Sequence, residues 1–249
     1  MRIFLSKAND IKALILAGGR GSRFNSLTGK TNKCMFKFRG KYLIENSLHN
    51  ALLLKVKEIV IVIGYLPEQI IDRFGNSYGG IKIKYVTQPE PKGVVNAIEC
   101  AQRAIGHSNF ILMLGDEFFM NPDHLNMYKI FKKHKLFCLC GVIKVDDLSN
   151  ISKTYSILIN EKNNKILKLV EKPNTPYNNL MGTGNIIFHN AIFDYIGKTP
   201  VNSLRGEKEL PDLVQSVIND GKISYYFKLS STYINVNTPQ DITLINKIR

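Results

Sequence analysis

The stretch "LILAGGRGSRFNSLTGKTNKCMF", residues 14–36, breaks an apolar run into glycines, arginines and lysines within twenty residues. Gly19 and Gly21 carry no Cβ, so their main-chain amides can approach a polyphosphate closely. Arg23 can meet phosphate oxygens with two parallel donors, and Lys33 can add a point charge at the α-phosphate. Two other glycine-loop chemistries fail on spacing. A dinucleotide fingerprint needs a third glycine where Phe24 stands, and a P-loop ending in "GKT" at 29–31 needs a glycine at that same position. The loop therefore wraps phosphates rather than capping them with a helix, because the next helical pattern opens only near residue 42. A glycine turn with no ligand is the competing reading of this loop taken alone.

The elements that must hold these residues follow from periodicity. Apolar runs at 12–17, 58–64, 81–86 and 109–116 read as strands. Segments 42–56, 67–75 and 94–105 between them place apolar residues at helical spacing. Such alternation predicts an α/β fold: a Rossmann-like, mixed but mostly parallel sheet flanked by helices, with right-handed connections. Ligands of such sheets bind beyond the carboxyl ends of the strands, which gathers the loops after 16, 86 and 114. The second half is less regular, with strands read at 136–145, 154–160, 165–173 and 182–188 and helices at 189–196, 209–219 and 239–247. No Pro/Ser-rich linker divides the halves, so one domain is expected over 1–249, whose later part, about 136–249, forms a lid or pocket wall over the first, about 11–135.

From about residue 11 to 247 the chain resembles the sugar nucleotidyltransferases, most closely the glucose-1-phosphate thymidylyltransferase branch. The opening L-A-G-G-x-G-[ST]-R stands here as "LAGGRGSR", with "TNKCM" carrying the lysine. The resemblance implies a nucleotide site of Ala17, Gly18, Gly19, Gly21, Ser22 and Arg23, with Arg23 and Lys33 catalytic. "QPEPKGVVNAI" (88–98) resembles the base-reading segment, which implies Gln88 and Gly93. A glutamine amide offers the donor and the acceptor that an imide edge requires. "LMLGDEFF" (112–119) puts Asp116 where the family holds Mg²⁺, a position that suits a hard carboxylate. "LVEKPNTP" (169–176) implies Glu171 on sugar hydroxyls and Lys172 on the sugar phosphate, and "MGTGNIIF" (181–188) implies that Gly184 lets the backbone approach the sugar. "RGEKELPD" (205–212) matches the branch too and reads as an architectural helix start.

Three departures stand out. Asn32 replaces the usual proline or serine before the lysine. The second metal aspartate falls on Asn235, and the glycine after it on Asn237. An asparagine carbonyl can ligate Mg²⁺ without contributing charge, so either residue, or phosphate oxygens, completes the site. Ser156 stands where the branch often has glycine; with Asn185 it implies a more polar sugar pocket.

The reading is Mg²⁺-dependent transfer from an NTP, UTP or dTTP, to a sugar 1-phosphate, with pyrophosphate released. The alternatives are a cytidylyltransferase for another phosphorylated alcohol or phosphonate, and a non-catalytic nucleotide or nucleic-acid binder. A net charge of +14 attracts anions. The lysines are spread, as in "KIFKKHK" (129–135), and form no basic run, so neither nucleic acid nor membrane is expected as a partner. A homo-oligomer is left open. No signal peptide, hexapeptide repeat or disulfide framework is read, and the four cysteines fit no zinc spacing, so a reducing cytoplasm is the expected compartment.

Overall fold

The computed structural model describes residues 9–21 and 31–247. Strand β1 (Asn9–Leu16) opens the chain, and Lys33–Met35 form a single 3₁₀ turn. A small hairpin, β2 (Lys37–Phe38) and β3 (Lys41–Tyr42), leads into α1 (Ile44–Leu53). Then come β4 (Val56–Ile63), α2 (Pro67–Phe74), β5 (Ser77–Tyr78), β6 (Ile81–Thr87), α3 (Gly93–Cys100), α4 (Gln102–Ile105) and β7 (Phe110–Leu114). The chain continues through β8 (Glu117–Met120), α5 (His124–Lys133), β9 (Cys138–Lys144), β10 (Tyr155–Asn160), β11 (Lys165–Glu171) and β12 (Leu180–Phe188). It ends with α6 (Phe193–Ile196), β13 (Val201–Asn202), β14 (Glu207–Lys208), α7 (Leu210–Asn219), β15 (Ser224–Lys228), β16 (Thr232–Asn235) and α8 (Pro239–Lys247).

One ten-stranded sheet runs through both halves in the order β10-β11-β15-β9-β12-β7-β1-β4-β6-β5. Its centre is apolar on both faces, as a sheet covered by helices on two sides must be. Along β1, Ala13 and Ile15 enter one core with Ile59, Ile61, Ile111 and Met113. Leu14 enters the other, with Val60, Val62, Leu112 and Ile98. Each fully buried Leu or Ile contributes roughly 1.5–3 kcal/mol, so these runs fix the strand register more firmly than local propensity does.

Strands β7, β1, β4 and β6 are parallel neighbours. Around β12 the pairing turns antiparallel: β12 runs against both β7 and β9, and β10 against β11, while β15 runs parallel to β9. The reason is local: β10 and β11 are joined by a four-residue connection, too short for a parallel crossover. The sheet is mixed, and the α/β class holds.

A separate antiparallel pair, β8 with β16, sits over the end of β7 and aligns Asn235 with Glu117. The Val236 amide donates to the Asp116 carbonyl at 3.0 Å and closes that pair beside the β7 end. No described helix is long and apolar enough to cross a membrane.

Candidate active site

The carboxyl ends of β1, β4 and β6 open onto a cleft of about 230 Å³. Gly18, Arg20, Gly64, Tyr65 and Gln88 are among its lining residues. Ser22 and Arg23 lie outside the described residues. Ala17 is buried at the strand end and closes the floor through its amide, which donates to the Val62 carbonyl at 2.8 Å. Gly19 follows it on the surface, among the residues that lead into the loop. Gly21 adopts φ +59°, and a Cβ there would sit 3.0 Å from the Lys33 Cβ. The loop glycine thus packs on the lysine stem, which explains why the turn admits no side chain at this point.

Asn32 is fully buried, and it accounts for its own departure from the family pattern. Its Oδ1 caps the 3₁₀ turn by accepting from the Cys34 amide at 2.9 Å. Its Nδ2 donates to the Ala17 carbonyl at 3.1 Å and the Tyr65 carbonyl at 2.7 Å. One side chain therefore ties the loop after β1 to the loop after β4 and presents the next residue, Lys33. Neither proline nor serine can make all three bonds.

Lys33 Nζ reaches Asp116 Oδ2 at 2.6 Å and Asn237 Oδ1 at 3.2 Å. Both partners of the ion pair are mostly shielded, with side-chain exposures of 11% and 27%. Asp116 Oδ1 has no protein partner among the described residues. Asn235 Oδ1 is buried and has no hydrogen-bond partner among the described residues. An unpaired buried carbonyl costs free energy unless something occupies it. Asp116 and Asn235 each offer a hard oxygen of the kind a divalent cation takes, while Asn237 is engaged by Lys33. Among the described residues no cluster of three His, Cys, Asp or Glu could hold a metal.

At the base segment Gln88 Nε2 donates to the Gly93 carbonyl at 3.1 Å and to Asn96 Oδ1 at 2.9 Å. Both amide hydrogens are spent, and Oε1 keeps no partner among the described residues. Gly93 begins α3 with φ +85°.

The sugar side gathers around the end of β11. Glu171 lies 3.4 Å from Lys172 Nζ and 3.5 Å from Arg205 Nη1. Arg205 also pairs with Glu209 at 2.8 Å. Burial, then Glu209, pushes the Glu171 carboxyl up, against the pull of Lys172 and Arg205. The segment 205–212 does start helix α7, yet Arg205 reaches the Glu171 cluster and adds a cation that the sequence reading treated as architectural.

Ser156, Gly184 and Asn185 are placed differently from the sequence expectation. Ser156 is fully buried and its Oγ accepts from the Tyr177 amide at 3.0 Å. A Cβ on Gly184 would lie 2.3 Å from Leu114 Cγ, and its amide donates to Glu117 Oε1 at 2.8 Å. Asn185 donates to Glu117 Oε2 at 2.9 Å and meets His124 Nε2 at 2.8 Å. The Ser156 oxygen, the Gly184 amide and both polar atoms of the Asn185 side chain are thus engaged within the protein. Glu117, His124 and Tyr233, which complete this network, escaped the sequence reading, because their bonds join residues far apart in the chain.

With this geometry in hand, the comparisons identify the chain: it matches the nucleotidyl transferase family over residues 12–246 and belongs to it. It is 27% identical over 232 residues to the UTP–glucose-1-phosphate uridylyltransferase of Haloferax volcanii, covering 93% of each chain. It is 25% identical to the glucose-1-phosphate thymidylyltransferase of Streptomyces griseus, spanning 96% of this chain and 66% of that one. Its fold superposes on a UDP-glucose pyrophosphorylase complexed with UDP-glucose at TM-score 0.82 and 24% identity, covering 95% and 97% of the two chains. It also superposes on the inositol-1-phosphate CTP transferase of T. maritima at TM-score 0.74 and 21% identity, covering 94% and 93%.

Proposed function

We propose that this enzyme transfers a nucleotidyl group from UTP or dTTP to a sugar 1-phosphate, releasing pyrophosphate. The observation that carries the reading is the shielded Lys33–Asp116 pair at the end of β7, with Lys33 also reaching Asn237. Residues about 11–135 hold the nucleotide and residues about 136–249 the sugar phosphate.

The sugar phosphate is already an anionic nucleophile near neutral pH, so the site needs no strong general base. One of its oxygens bonds to the α-phosphorus as the bond from that phosphorus to the pyrophosphate oxygen breaks. The barrier is the approach of two anions, so catalysis is alignment and charge neutralisation. The loop of Gly18, Gly19 and Gly21 presents amides to the phosphates, with Ser22 and Arg23 continuing it. Lys33 neutralises the α-phosphate. Lys172 and Arg205 hold the incoming phosphate, and Glu171 accepts from the sugar hydroxyls. Gln88 Oε1 and the Gly93 amide complement the N–H and C=O of an imide base.

Asp116 and Asn235 would hold a Mg²⁺ ion, which would supply positive charge at the phosphate oxygens. The four free cysteines suit a reducing compartment, and we assign the reaction to the cytoplasm.

The test is pyrophosphate release over a matrix of UTP, dTTP, CTP and GTP with sugar 1-phosphates and polyol phosphates, with and without Mg²⁺. A cytosine edge also offers one donor and one acceptor, so a CTP preference would install the cytidylyltransferase instead. Asp116→Ala is expected to abolish turnover in a folded protein; wild-type turnover in that variant removes the assigned role.

A further inference from the structure

Glu117 is a buried carboxylate that the reaction above does not use. It follows Asp116 directly and is 2% exposed. Both of its oxygens accept from donors within the protein. Oε1 accepts from the Gly184 amide and the Tyr233 hydroxyl, each at 2.8 Å, and Oε2 accepts from Asn185 Nδ2 at 2.9 Å. Behind it, Asn185 Oδ1 lies 2.8 Å from His124 Nε2. Burial lowers His124 to about 4, so its ring is neutral and its Nε2 hydrogen points at Asn185. The donors run one way, from His124 to Asn185 to Glu117. Burial pushes the Glu117 carboxyl up to about 7, and its three donors pull the other way.

Packing alone does not call for this arrangement. An apolar side chain of similar volume would fill the space without the desolvation cost of a carboxylate. What distinguishes Glu117 is which strands it joins. It opens β8, directly after the metal-side Asp116. Tyr233 lies two residues before Asn235 on β16. Gly184 and Asn185 lie on β12, a strand buried along its whole length. The Lys33 stem and the nucleotide cleft are reached by none of these bonds.

We propose that Glu117 is a positioning residue that fixes the Asp116–Asn235 pair against the β12 wall, so that metal and sugar phosphate meet at one separation. This rests on the nucleotidyl-transfer reading. Outer partners of this kind typically change metal affinity or activity by about 10–100-fold when removed. The nucleotide loops are untouched, so the loss belongs to kcat and to metal affinity and not to KM for the nucleotide.

The experiment compares wild type, Glu117→Gln, and Glu117→Gln combined with Asn185→Asp. In the single variant, the new amide hydrogens of residue 117 face those of Asn185. The double variant restores an acceptor there while the hydroxyl of Tyr233 and the amide of Gly184 keep theirs. Three readings are taken: kcat with both KM values, Mn²⁺ affinity by water-proton relaxation with UTP present, and Tm. The expected result is a loss of about tenfold or more in kcat and in Mn²⁺ affinity for the single variant. Its KM for the nucleotide and its Tm stay near wild type, and most of the loss is recovered in the double variant. Wild-type kcat and Mn²⁺ affinity in Glu117→Gln overturn the proposal, as does a lower Tm with unchanged kcat per folded molecule. If Glu117→Gln fails to fold, Tyr233→Phe removes one bond only; unchanged kcat and Mn²⁺ affinity there also overturn it. A wild-type protein that releases no pyrophosphate from any substrate pair sinks the functional reading, while the Mn²⁺ measurement still decides the role of Glu117.

Discussion

Lys33 is held from three directions. Its stem lies under Gly21, its backbone follows the Asn32 cap, and its ammonium bridges Asp116 and Asn237. A charge so fixed needs little reorganisation when negative charge builds at the α-phosphate, which is where preorganised donors act most strongly. Lys33→Ala is therefore expected to cost roughly 2–4 kcal/mol of transition-state stabilisation, comparable to the loss of one oxyanion donor. Steady-state kinetics check it. A fall in kcat supports the transition-state role, whereas a rise in KM with kcat unchanged makes Lys33 a ground-state binder. Lys33 and Asp116 were legible as candidates from the loop spacing and the strand end. Their 2.6 Å contact was not, because it joins residues 83 positions apart and depends on the β1–β7 pairing.

Elements differ in how plainly they announce themselves. The apolar strands β1, β4 and β7 lie close to their expected ranges, since burial on both faces writes them as hydrophobic runs, and β6 lies close to its range through its alternating pattern. Helix α5 was missed. Its buried residues Met127, Tyr128 and Phe131 do fall at helical spacing, but the lysines around them read as a solvated face. Strands β8 and β16 were missed because they are short and pair across more than a hundred residues. Helix α5 begins with Asp123 accepting from the Asn126 amide, and its first residue, His124, is pinned to β12 through Asn185. This junction has a definite pH dependence. Burial holds His124 at about 4 in the folded chain, against an ordinary value of 6.5. Between those values the unfolded chain binds more protons, so stability falls as pH falls from 6.5 towards 4, by up to roughly 3 kcal/mol. Glu117, raised to about 7, acts in the opposite sense, losing stability as pH rises through that value. Thermal unfolding of wild type and His124→Gln from pH 4 to 8 separates the two. The variant should lose the acid-side decline and keep the decline towards neutral pH. An unchanged acid limb would show that His124 does not titrate with unfolding.

At the scale of the whole molecule, the sugar half was harder to read than the nucleotide half. Its strands reverse direction, and sites such as Ser156 and Asn185 turn out to be spent on internal bonds. Net charge, by contrast, is a property of the sequence alone. At +14 it surrounds a cleft that must receive two polyanions. Long-range attraction of this kind is screened over about 10 Å at 0.1 M salt, whereas the shielded Lys33–Asp116 pair is screened much less. The two contributions therefore separate in a salt titration. Raising KCl from about 50 to 500 mM is expected to lower kcat/KM for the sugar phosphate by about tenfold while kcat changes little. If kcat falls instead and KM holds, the positive charge acts on the bound state and not on encounter. If neither moves, the dispersed lysines are only a solvated surface, and the local cations Lys33, Lys172 and Arg205 carry the whole electrostatic load.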